Sequence, residues 1–74
     1  NPSTRINYEI RALGFVTLKV NDVNGNEIAF LVNENQRPGI YSVEFNGAPL
    51  PSGIYYYKLT VNNFTDTRKM VLVK

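Results

Sequence analysis

The chain has 74 residues, a formal net charge of +2, and neither cysteine nor histidine. Those absences exclude a disulfide framework and a Cys/His zinc site, and they remove the usual general bases and thiol nucleophiles. With 43% hydrophobic and 19% charged residues, the composition is that of a globular chain, one small domain over 1–74 with little core to spare.

The first element is a short strand in which Ile6, Tyr8 and Ile10 alternate with Asn7 and Glu9; Asn1-Pro2-Ser3-Thr4 leads into it as a turn. Leu13-Gly14 links it to a hairpin over 14–33, the stretch that organises the chain. In its first strand Val16, Leu18 and Val20 point one way, and Phe15, Thr17, Lys19 and Asn21 the other. This is the period-two pattern of a half-buried strand. In its second strand Ile28, Phe30 and Val32 alternate with Ala29 and Leu31, so both faces are apolar. Asn24-Gly25 between them predicts a type I′ turn, because both residues tolerate positive φ.

A polar run ending in Pro38-Gly39 closes the hairpin region. Tyr41, Val43 and Phe45 alternate with Ser42 and Glu44, giving the next strand. The segment from Asn46 to Gly53, with two glycines and two prolines, is a loop. In the strand after it, Tyr55, Tyr57, Leu59 and Val61 share one face, with the tyrosines as packing residues whose hydroxyls reach the rim. Asn62-Asn63 is a second two-residue turn. The last strand runs from Phe64 to Val73, and the unbroken apolar run Met70-Val71-Leu72-Val73 predicts burial on both faces. Without a helical period anywhere, six to seven short strands predict an all-β, immunoglobulin-like antiparallel β-sandwich, with a small Greek-key barrel as the alternative.

Little in the chain carries chemistry. The serines have no base to activate them, and no glycine-rich phosphate loop is present. Asp22-Val23-Asn24-Gly25-Asn26-Glu27 has alternate oxygen side chains like the start of a calcium loop, but its glycine is at the fourth position and Asn33 stands at the twelfth. A hairpin turn explains the same residues, so no metal and no cofactor are expected. Asn63-Phe64-Thr65 fits a glycosylation acceptor pattern, a frequent chance match. The basic residues are scattered, and only Arg68-Lys69 are adjacent. They read as solvated faces and edge-strand protection, with no nucleic-acid surface. No run reaches transmembrane length, and no signal peptide or initiator methionine is present. The chain is therefore expected to be an excised domain or a processed product.

Several pieces then combine in order and spacing. They are the Asn1-Pro2 start, Val16-Thr17-Leu18-Lys19-Val20, Asp22 to Ile28, Leu31-Val32-Asn33-Glu34, Pro38-Gly39 before Tyr41, Ser52-Gly53-Ile54-Tyr55-Tyr56-Tyr57, and the closing Lys69-Met70-Val71-Leu72-Val73-Lys74. Together they resemble the type A C-terminal sorting domain of the type IX (Por) secretion system, over essentially the whole chain. The chain departs from the family pattern at Arg11, Asn21 and Asn24.

The resemblance implies a non-catalytic C-terminal secretion and sorting signal. It is expected to direct a covalently fused N-terminal cargo from the periplasm across the outer membrane to the cell surface. The implied partners are the type IX translocon and a sortase-like peptidase of the outer membrane. It also implies that Ser52, Gly53, Ile54 and Tyr55, with Lys69, Met70, Val71, Leu72, Val73 and Lys74, carry recognition. A terminal strand can present an edge for a partner to pair with, although the same run reads equally as a core strand flanked by solubilising lysines. The main alternative is a structural module that self-assembles through its strand edges, as a homo-oligomer, an extracellular filament or an adhesin subunit. A carbohydrate-binding module using exposed tyrosines is the third reading.

Overall fold

The computed structural model describes residues 3–73, and among them are six antiparallel strands and no helix. The strands are β1 (Ser3–Ile10), β2 (Gly14–Asn21), β3 (Glu27–Gln36), β4 (Gly39–Asn46), β5 (Gly53–Val61) and β6 (Phe64–Leu72). Of the expected opening turn, Asn1 and Pro2 lie outside the described residues, while Ser3 and Thr4 belong to β1 and pair with Asn46 and Phe45. β1 pairs with β4 in a two-stranded sheet, and the others form a four-stranded sheet in the order β3-β2-β5-β6. Tight hairpins join β2 to β3 and β5 to β6, and the links 11–13, 37–38 and 47–52 carry the chain between sheets. The arrangement is sandwich-like, two separate sheets rather than a closed barrel.

Alternation places one core between the sheets. Ile6, Tyr8 and Ile10 of β1 and Phe45 of β4 meet Val16, Leu18, Val20, Val32, Tyr55, Leu59 and Leu72 of the large sheet. Val16, Leu18 and Val20 are fully buried, because β2 is a central strand with neighbours on both sides. Tyr8 keeps its polar end satisfied at the margin. Its hydroxyl donates to Gln36 Oε1 at 2.8 Å, and its ring stacks on Tyr41 with centroids 5.4 Å apart. Burial pushes the Tyr8 phenol pKa above its ordinary value, with the Gln36 hydrogen bond opposing part of that shift.

The β2–β3 hairpin differs from the sequence reading in two ways. Its loop is three residues, 23–25, closed by the Asp22 N–H donating to the Asn26 carbonyl at 3.0 Å. Only Gly25 has positive φ, at 85°, and its N–H donates to the Asp22 carbonyl at 3.1 Å. This is the pattern of a turn followed by a left-handed residue rather than a two-residue type I′ turn. The Asp22 side chain selects it: Oδ1 accepts from the N–H groups of Asn24 and Asn26, both at 2.9 Å. Register shifts between Leu18 and Lys19, and again between Val20 and Asn21, then break the alternation of β3. Val32 faces Leu18 and Ala29 faces Val20, while Phe30 sits opposite Lys19 on the outer face. Each bulge inserts one residue and reverses the facing of the residues beyond it, so Ile28, Phe30 and Val32 do not share a side.

A Cβ added at Gly25 meets no atom within 4 Å, so the requirement there is purely one of backbone conformation. Gly25→Val is therefore expected to cost about 1–2 kcal/mol in chemical denaturation, and a loss near zero would contradict the left-handed assignment. At the opposite end of the sheet the β5–β6 turn is two residues, as expected, with Asn62 at φ 53°. The Asn62 side chain also donates to the Leu13 carbonyl at 3.3 Å and lies where a Cβ on Gly14 would fall, 2.6 Å from its Oδ1. This contact ties the β1–β2 link to the distant hairpin.

The closing run corrects a further expectation. Of Met70-Val71-Leu72-Val73 only Leu72 is buried; Met70 is half-buried, and Val71 and Val73 are exposed. β6 is an edge strand of the large sheet, and among the described residues no layer covers that sheet's outer face.

Candidate functional site

The two segments singled out in the sequence are direct neighbours. Strand register sets Gly53 opposite Leu72, Ile54 opposite Val71, and Tyr55 opposite Met70. The start of β5 and the end of β6 thus form one corner of the large sheet. Alternation divides the candidate residues by role. Tyr55, Met70 and Leu72 turn inward and pack against the core. Ile54 (42% exposed), Val71 (62%) and Val73 (61%) turn outward, with Lys69 beside them. Ser52 is exposed and Gly53 half-buried. Lys74 lies outside the described residues.

The corner is held in place from below. The Tyr55 hydroxyl donates to the Pro51 carbonyl at 2.7 Å, four residues upstream, pinning the 47–52 crossing to the strand it feeds. The other polar link does the same: the Tyr41 hydroxyl donates to the Arg37 carbonyl at 2.6 Å. Both links end in Gly-Ile-Tyr, at 39–41 and 53–55. In each the ring edge packs against the glycine, where an added Cβ would stand 3.8 Å and 4.0 Å away. The central isoleucine is directed outward in both. This repeated tripeptide was visible in the sequence and its role was missed there. Tyr55→Phe should lower stability by about 0.5–1.5 kcal/mol in urea denaturation, leaving the ring in place; an unchanged midpoint would mean that the hydroxyl contact does not hold the loop.

Elsewhere the polar groups serve the fold. Asp22 Oδ1 is taken by two turn N–H groups, and Oδ2 accepts from Asn26 Nδ2 at 3.2 Å. The Asn26 N–H foremost holds the Asp22 carboxyl below its usual pKa range. The stabilisation this gives is present above the unfolded-state pKa and is lost as pH falls through the lower folded value. The calcium reading thus competes with hydrogen bonds already made, and no cluster of three or more His, Cys, Asp or Glu suited to a metal exists among the described residues. A groove between the end of β1 and the β5–β6 hairpin has an apolar floor of Ile10, Leu59, Val61 and Phe64. Glu9 and Arg11 on its rim pair with one another at 3.8 Å.

A family model described as the secretion system C-terminal sorting domain matches residues 1–74. The chain belongs to this family. No curated protein and no solved structure matches it. It is accordingly a C-terminal sorting domain of the type IX (Por) secretion system, a non-catalytic signal domain. Membership implies recognition by the type IX machinery and secretion to the outer membrane or surface. For a sorting domain the outward corner is of interest as surface, since its residues offer contact area rather than reactive groups.

Proposed function

We propose that residues 1–74 act as one folded address whose outward corner, built from Ile54, Val71, Val73 and Lys69, is what the outer-membrane translocon reads. The observation that carries this reading is the direct pairing of Ile54 with Val71 on the uncovered face of the large sheet. Exposed apolar side chains on adjacent rigid strands make a preformed contact site with little ordering cost. Tyr55, Met70 and Leu72 hold the corner's shape from the core side. A cargo fused before residue 1 would then be carried to the surface, where a sortase-like peptidase would detach the address.

Self-assembly through strand edges is less favoured by the charge pattern. β6 carries Lys69 at its edge, and Asp66 and Arg68, paired at 3.1 Å, lie on its core-facing side. Inward charges of this kind blunt edge-to-edge pairing.

The test is a secreted reporter fused ahead of residues 1–74 and expressed in cells with a working type IX system. Surface or medium delivery is expected, with periplasmic retention in a strain lacking the translocon. Equal delivery in both strains would overturn the reading.

A further inference from the structure

The charge on the sorting domain is unevenly placed. The small sheet is balanced: Arg5 stands opposite Glu44, and Arg11 pairs with Glu9. On the outer face of the large sheet, register and alternation bring together Lys19, Lys58 and Lys69 with Glu27 as the single acid among the described residues. Glu27 is already engaged, 3.7 Å from Lys19, whose ammonium also lies over the Phe30 ring at 5.0 Å. Lys58 and Lys69 have no acidic partner among the described residues. Lys58 stands directly opposite Lys19, an arrangement that costs stability because like charges face each other across the strands. Tyr56, half-buried and directly opposite Lys69, joins this cationic row to the apolar corner at Ile54 and Val71.

From this placement we infer that the partner surface is a protein patch with carboxylates set beside an apolar centre, and that Lys58 and Lys69 with Tyr56 determine its choice. The inference rests on the corner reading above and gives it a chemistry. An apolar centre with a charged margin is the anatomy of a protein–protein contact. Ile54 and Val71 sit on strands of a four-stranded sheet instead of projecting from a loop, a placement that suits packing on another protein rather than inserting among lipid chains. Complementary charge steers encounter and suppresses wrong partners, which accounts for retaining a repulsive lysine pair at the centre of the face.

The test is binding of the purified 74-residue chain to detergent-solubilised, immobilised type IX translocon at low and high salt. Wild-type affinity is expected to fall about tenfold or more between roughly 0.05 M and 0.5 M salt. Lys58→Glu with Lys69→Glu should lose a similar factor at low salt and most of the salt dependence, while the arginine pair Lys58→Arg with Lys69→Arg retains both. Ile54→Asp separates the inference from the reading beneath it. If Ile54→Asp abolishes binding while the charge-reversed pair binds as wild type does, the inference fails and the corner reading stands. If Ile54→Asp binds normally, the corner reading fails and the inference with it. Salt-sensitive binding of the wild type to protein-free phosphatidylglycerol vesicles, lost in the charge-reversed pair, would make a membrane the occupant and overturn the protein partner. Thermal melts of each variant confirm that it is folded.

Discussion

Leu18→Ala is expected to remove a large share of the fold's stability. Leu18 is fully buried on the central strand, with Val32 opposite on one side and Leu59 on the other. Truncating such a side chain costs about 2–5 kcal/mol, through lost transfer energy and the cavity left behind. A chain of 74 residues has on the order of 4–11 kcal/mol in total. The site has little room to relax, because Val16 and Val20 beside it are fully buried on the same face. Urea denaturation should show the loss as a lower midpoint with an unchanged slope. A change under about 1 kcal/mol would mean that the two sheets do not pack through β2 as described.

Adjacent residues at the end of β6 give the second large effect, and they separate folding from recognition. Leu72 is 4% exposed and Val71 is 62% exposed. Leu72→Asp places a carboxylate in a core that holds no buried charged residue among the described residues, and burying such a charge costs several kcal/mol. The cooperative melt should disappear at neutral pH. Val71→Asp leaves its carboxylate in water and should stay within about 0.5 kcal/mol of wild type, yet it places a negative charge in the apolar corner. Similar melts for the two variants would contradict the assigned facing of β6.

This alternation was the part the sequence concealed. Four apolar residues in a row, 70–73, read as a strand buried on both faces, since periodicity alone cannot say how many layers a fold has. The structure has two layers, so half of that run faces outward. The set of strands along the chain and the alternation of β1, β2, β4 and β5 were legible. The order of the strands in the two sheets was not, because it rests on long-range pairing. The facing of β3 was not legible either, because two bulges shift its register and a bulge leaves no mark in an apolar run. Asn24-Gly25 marked the hairpin correctly, but the turn's geometry depends on the Asp22 side chain, a contact outside the dipeptide. Both candidate segments were found through the family resemblance, while their meeting as Ile54 opposite Val71 depends on a long-range register. Alternation alone put Tyr56 and Lys58 on one face of their strand, but only strand pairing brings Lys19 and Lys69 onto that face beside them.

The claim that matters most is that a folded, outward-facing corner carries the sorting signal. It is tested most directly by export of a reporter fused to the Ile54→Asp, Val71→Asp double variant, with a thermal melt of the same chain. A native-like melt with the reporter retained in the periplasm is the predicted result. Normal delivery by the folded double variant would contradict the account and place recognition elsewhere on the domain.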